Sequence, residues 1–139
     1  MAVYFRKVQY HETDKMGITH HSNYIRWMEE ARVFFMDEVG YGYKKMEEDG
    51  VVSPVIAIDC QYKTPTTFDD MVRIDVGVAE FRGVKLVMKY EMTNDKTGDV
   101  VLVGKSEHCF LGEDGKPVAL KKKLPEIDRL LRELAEGGK

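Results

Sequence analysis

The sequence predicts an α+β domain in which an antiparallel sheet packs against one long helix. An apolar stripe with helical spacing runs from Tyr24 to Val39. Apolar and polar residues alternate at a period of two through residues 71–81 and again through 85–93. The later strands are joined by tight turns, which leave no room for the crossovers a parallel sheet requires. The 139 residues are expected to form a single domain. A chain of that length buries roughly 70% of its unfolded surface, so neither a metal nor a disulfide is needed to hold it together.

Residues 3–10 are rich in β-branched and aromatic side chains and read as a first strand. A polar turn at Asp14–Gly17 ends it. Ser22 is the expected N-cap of the long helix, and Gly40 its stop. Tyr24, Trp27, Met28, Ala31, Phe34, Phe35 and Val39 form a stripe broad enough to be covered by a sheet. Residues 43–49 read as a short second helix closed by Gly50.

Residues 51–64 are strand-like up to Pro65. Val72, Ile74, Val76 and Val78 share one face of the next strand. Leu86, Met88, Tyr90 and Met92 share one face of its neighbour. Residues 94–98 make a hairpin turn, and 100–111 a long strand. Residues 112–115 turn again, and 118–120 are expected to add a short edge strand. Pro125 opens a terminal helix over 124–136, with Ile127, Leu130, Leu131 and Leu134 as its stripe.

The net charge of -3 argues against nucleic acid as the main partner. A local basic patch could still hold one phosphate-rich ligand. Cys60 and Cys109 lie in separate β-like runs and read as free thiols in a reducing compartment. The first seven residues have no apolar segment, so no leader is expected. No apolar run approaches the ~20 residues of a membrane span. A cytoplasmic protein is expected.

The chemistry is concentrated in residues 10–32. Asp14 lies in a Thr-Asp-Lys-Met-Gly turn, and a helix is expected to begin about seven residues later, just before Asn23 and Tyr24. An Asp in such a turn can simply accept hydrogen bonds from its own backbone. Near a helix start it can also act as nucleophile or general base on a carbonyl polarised by free N–H groups. His20 and His21, with His11 and Asp14, invite a metal reading. No second ligand cluster follows, since His108 stands alone, and no metal is expected. Tyr24 reads as core. Glu29 and Arg32 are spaced as an i,i+3 surface pair. Arg82 and Lys85 flank a turn and would suit a phosphate-bearing ligand.

Asp14-x-x-Gly17-Ile18, His21-x-Asn23-Tyr24 and Glu29-x-Ala31-Arg32 together resemble the signature of the 4-hydroxybenzoyl-CoA thioesterase family, in its YbgC-like acyl-CoA thioesterase branch. Tyr62-Lys-Thr-Pro65 and Phe68-Asp-Asp70 are similar to that branch's second strand and following turn. The resemblance covers residues 3–120. It implies a hot-dog fold, in which a curled sheet wraps the long helix. It also implies a homodimer or homotetramer with active sites at subunit interfaces.

On that resemblance, Asp14 is the catalytic carboxylate and the His21 N–H polarises a thioester carbonyl. Gly17 gives the loop its close approach. Asn23 and Tyr24 contact substrate, and Arg82 and Lys85 meet the coenzyme A nucleotide. The substrate is an acyl-CoA and no separate cofactor is expected, coenzyme A being part of the substrate. His20 stands where the branch often has an aromatic residue, and Gly83-Val84 where some relatives are more basic. Two other functions suit the same fold: hydration or dehydration of an acyl thioester, and non-catalytic binding of one.

Overall fold

The computed structural model describes residues 1–137. The strands are β1 (Ala2–Lys7), β2 (Val55–Tyr62), β3 (Met71–Phe81), β4 (Lys85–Asn94) and β5 (Val100–Cys109). They form one antiparallel sheet in the order β1-β3-β4-β5-β2. Helix α1 (Ser22–Glu38) packs on its inner face, and α2 (Tyr43–Glu48) follows at once. The short turn α3 (Leu120–Lys123) and helix α4 (Pro125–Gly137) close the end of the sheet where β3 turns into β4.

The period-two alternation places apolar residues from neighbouring strands in rows beneath α1. Ile74 lies opposite Met92, which lies opposite Leu102. Val76 lies opposite Tyr90, which lies opposite Gly104. The helix contributes Trp27, Met28, Ala31 and Phe35, all buried. Gly104 is required by space: a Cβ there would meet the Asp59 carbonyl oxygen at 2.8 Å and the Met28 methyl at 3.4 Å. The helix stop at Gly40 is a backbone matter, since its φ of 88° suits glycine.

Three expectations about elements change. The first strand ends at Lys7, and Tyr10–Glu12 forms a 3-10 turn. The second strand starts only at Val55, just beyond Pro54; Val52 makes an isolated bridge to Leu111. Residues 118–120 do not form an edge strand. Pro117 has no N–H for a ladder, Leu111 makes an isolated bridge to it, and Leu120 opens α3 instead.

The expected Glu29–Arg32 surface pair is also replaced. Glu29 is exposed, whereas Arg32 is buried and its Nη1 donates to the Tyr90 hydroxyl at 3.0 Å. That hydroxyl is 2.6 Å from Ser106 Oγ, which is 2.8 Å from His108 Nε2. Tyr43 also bonds the guanidinium, and burial pushes its phenol up to about 12. A helix-borne cation is thus held by two phenols inside the core, one of them backed by the Ser106 hydroxyl. Burial, with the Arg32 charge beside it, pushes the His108 imidazole down to about 4.

The unfolded chain therefore binds a proton at His108 that the folded chain rejects. This contribution to stability is complete above the ordinary histidine value of about 6.5 and is lost as pH falls towards 4. Thermal unfolding followed from pH 7.5 to pH 4.5 should show Tm falling across that window. His108→Gln should flatten the fall, removing up to about 3 kcal/mol of the stability loss between those pH values.

Candidate active site

Residues 13–19 form a small hairpin on one end of the sheet, closed by a bridge between Thr13 and Thr19. The Asp14 N–H donates to the Ile18 carbonyl at 2.8 Å, and the Gly17 N–H to the Asp14 carbonyl at 2.9 Å. One Asp14 carboxylate oxygen accepts the Met16 N–H at 2.8 Å. The self-capping expected of an Asp in a turn is therefore present, and it leaves the other oxygen without a protein donor among the described residues. Gly17 has a φ of 83°, and a Cβ there would meet nothing within 4 Å. Within one chain, backbone conformation rather than close packing demands glycine.

Two anchors hold this hairpin. The first is Thr66, which is fully buried. Its carbonyl accepts the Thr19 N–H at 2.9 Å, and its hydroxyl lies 2.6 Å from the Thr19 hydroxyl and 3.0 Å from the Tyr24 hydroxyl. The second is Glu12. Its carbonyl accepts the His20 N–H at 2.8 Å and Asn23 Nδ2 at 3.0 Å. Its side chain is buried, with Oε1 accepting the Gln9 N–H and Arg6 Nη1, and Oε2 accepting Arg6 Nη2 and Trp27 Nε1, all at 2.8–3.0 Å. Burial pushes this carboxyl up, but the Gln9 amide, the Trp27 indole and the Arg6 guanidinium outweigh it and hold the carboxyl below its usual range. Its stabilising bonds are present above the usual carboxylate range and are lost as pH falls through the lowered value.

The helix start differs in detail from the expected cap. His21, not Ser22, is the N-cap, and no side chain caps it. Instead His20 Nδ1 accepts the Ser22 N–H at 3.2 Å and lies 2.8 Å from the Ser22 hydroxyl. The two imidazoles stack with centroids 4.4 Å apart. The Asn23 N–H donates to the His20 carbonyl and the Tyr24 N–H to the His21 carbonyl. Among the described residues the His21 N–H has no partner. It is the open donor at the positive end of α1.

A cleft of about 310 Å³ lies beside this donor, lined by Ile18, Thr19, His21, Tyr24, Tyr62, Lys63, Thr64 and Pro65. Tyr24 supplies an aromatic wall 5.6 Å from the Tyr62 ring, and it also packs edge-on against Trp27. His21 and Tyr24 thus share one cleft, with Asp14 in the hairpin that leads into it. Asn23 is buried, and its amide nitrogen is committed to the Glu12 and His20 carbonyls, so it braces the loop.

Arg82 and Lys85 lie elsewhere in the chain. They flank the β3–β4 hairpin, separated from the site end by the 11-residue length of β3, about 33 Å. There Arg82 pairs with Glu80 and Lys85 with Glu107. His11 is exposed, and among the described residues no three His, Cys, Asp or Glu side chains group as metal ligands.

Sequence reasoning missed Glu12 and Thr66. Glu12 had a signal: Trp27 on a buried stripe needs an acceptor for its indole N–H, and a carboxylate just before the loop can supply one. Thr66 had none, since its Thr-Pro-Thr-Thr setting reads as a surface turn.

A curled antiparallel sheet around one long helix, with an open amide at the helix start and a carboxylate loop beside it, defines a hot-dog thioesterase architecture. The model of the thioesterase-like superfamily matches residues 8–133, and the chain belongs to that superfamily. The Bacillus subtilis strain 168 protein YneP, by name a candidate acyl-CoA thioesterase, is 35% identical over 121 residues, covering 86% of this chain and 87% of YneP. The acyl-CoA thioester hydrolase YbgC of Escherichia coli O157:H7 is 26% identical over 88 residues, 63% of this chain and 66% of YbgC. The solved structure of a DHNA-CoA thioesterase from Staphylococcus aureus superposes with a TM-score of 0.91 at 31% identity, covering 99% of this chain and 95% of that one.

Thr66→Val removes the hydroxyl that joins Thr19 to Tyr24; Thr19 keeps its bond to the Thr66 carbonyl, and the buried Tyr24 hydroxyl loses its partner. The substitution should cost about 1–3 kcal/mol in chemical denaturation. A loss below the measurement error would mean that Thr66 does not anchor the hairpin.

Proposed function

We propose that this protein hydrolyses acyl-CoA thioesters to a free acid and coenzyme A. The observation that carries the reading is the unpartnered N–H of His21 at the start of α1, a residue that lines the cleft walled by Tyr24, in a chain of the thioesterase-like superfamily. A thioester carbonyl accepting that N–H becomes more electrophilic, and the oxyanion formed on attack is stabilised by the same donor and the helix dipole. One such donor is typically worth ~3 kcal/mol in the transition state. Asp14 supplies the nucleophilic power through its free carboxylate oxygen. It either attacks the carbonyl carbon to give a mixed anhydride, which water then opens, or removes a proton from an attacking water. In both routes the coenzyme A thiolate leaves. The printed names of YneP, YbgC and the Staphylococcus aureus enzyme support an acyl-CoA substrate.

The working unit in this reading is a homodimer or homotetramer, with coenzyme A part of the substrate and no separate cofactor. Strand β2 is an edge strand with Val55, Ile56 and Tyr62 exposed, a long apolar edge of the kind that recruits another chain. Antiparallel pairing of β2 with its copy would reverse the second chain. The Arg82–Lys85 hairpin of one copy would then lie at the same end as the His21 helix start of the other, within reach of a nucleotide outside the cleft. Among the described residues no helix is long and apolar enough to cross a membrane, and a cytoplasmic location fits this reading.

Asp14→Asn should lower kcat at least 100-fold on whichever saturated acyl-CoA is best in a panel read by thiol release. Its Tm and its affinity for a non-hydrolysable acyl-CoA thioether should stay near wild type. Undiminished turnover would remove Asp14 from its role. A wild type that only hydrates an enoyl-CoA, or only binds the thioether, would replace hydrolysis with one of the other two functions. Analytical ultracentrifugation at micromolar concentration should give twice or four times the chain mass. A monomer would reject the β2 pairing.

A further inference from the structure

Glu12 is the most heavily committed polar side chain near the cleft, yet it has no path to the substrate: it is 3% exposed, and both carboxylate oxygens are saturated by protein donors. We infer that Glu12 is a positioning residue that fixes the His21 N–H and the Asp14 hairpin relative to one another, so that turnover depends on a carboxylate that never touches substrate. This rests on the thioesterase reading of the site.

Through Arg6, the carboxylate is tied to β1, and thereby to the sheet. Through Trp27 Nε1, it is tied to the second turn of α1. Its own carbonyl takes the His20 N–H, one residue before the open donor, and Asn23 Nδ2, two residues after it. Asn23 Nδ2 is shared with the His20 carbonyl. The peptide bearing the His21 N–H is therefore held from both sides by bonds to one residue. The Asp14 hairpin begins one residue beyond Glu12, and its far strand returns to His20. A change at Glu12 moves both reacting partners.

Near-attack geometry is sensitive to shifts of about 1 Å, which can cost 100-fold in rate. Thr66 joins the hairpin to Tyr24 of α1 through its hydroxyl but, among the described residues, has no bond to β1 or to His20, and Arg6 also bonds Glu30 and can survive without Glu12. Among the described residues, Glu12 alone bonds the strand, the loop and the helix.

Glu12→Gln keeps the side-chain shape but points an amide N–H₂ at either the Trp27 indole and Arg6 Nη2 or the Gln9 amide and Arg6 Nη1, all of them donors. The expected result is a kcat at least tenfold lower with KM changed less than threefold, since the lost alignment matters to the oxyanion and not to coenzyme A binding. Hydrogen exchange at the His20 amide should speed up in step. Leu131→Ala, a buried change in α4 far from the loop, serves as control. Assayed equally far below its own Tm, it should keep kcat within twofold.

Should Glu12→Gln fail to fold, Arg6→Lys, at a residue with 19% of its side chain exposed, keeps the charge but replaces the bidentate fork, and the Nε bond to Glu30, with one ammonium. It should lower kcat three- to tenfold. A folded Glu12→Gln with kcat within twofold of wild type, a kcat loss matched by Leu131→Ala, or an Arg6→Lys variant with full kcat would overturn the proposal. A wild type without thioesterase activity would reject the hydrolase reading instead. In that case unchanged His20 exchange in the Glu12→Gln or Arg6→Lys variant would independently reject the positioning role.

Discussion

The buried contact among Glu12, Arg6 and Trp27 is the constraint on which the rest of the site depends. An ionised carboxylate can stay inside a protein only when its oxygens are filled by donors, and the donors here come from a strand, a turn and a helix. Arg6 adds a bond to Glu30 and lies over the Trp27 ring at 5.6 Å. The electrostatic demand of one side chain thereby sets the relation of β1 to α1. Packing alone would leave the helix some freedom to slide along its axis, because Met and Phe side chains adapt. Four charge-assisted or directional bonds at fixed atoms do not allow that.

A second polar cluster restrains α1 further along. Arg32, two turns past Tyr24, is buried on phenol and hydroxyl groups with no carboxylate among its bonded partners. Its charge is tolerated because Tyr90, Tyr43 and Ser106 present oxygen lone pairs, and because His108 stays neutral. The helix is thus pinned by an anion near its start and by its own cation near its middle. Between them lies an apolar stretch containing Met28 and Ala31. This combination defines an axial position and a rotation that a wholly apolar helix face would leave loose.

Periodicity made the architecture legible. The two-residue alternation at Val72–Val78 and Leu86–Met92 fixed which faces are buried, and short turns required antiparallel order. The helix was legible from Tyr24 to Val39 for the same reason. What failed were single-residue matters. The strand predicted at 118–120 looked apolar enough, but Pro117 cannot donate to a ladder and Leu120 turns helical. The Glu29–Arg32 pair obeyed helix spacing, yet Arg32 faces inward, a fact only the facing Tyr90 reveals. At the site, the loop and helix start were legible because acid, glycine and amide lie within ten residues of one another. Glu12 and Thr66 were not, because their value comes from partners brought in by folding, one 15 residues away and the other 47.

The cleft beside His21 is built by two stretches of chain with separate supports. The hairpin and helix start are braced chiefly by Glu12, Asn23 and the Thr66 backbone. The opposite wall, Tyr62 to Pro65, hangs from the end of β2, an edge strand whose outer side has no strand neighbour among the described residues. Substitutions in that wall reshape the cleft without disturbing the bonds that aim the acid and the amide. The fold therefore separates reactivity from selectivity, and new acyl preferences can evolve at 62–65 while the reacting geometry is inherited unchanged.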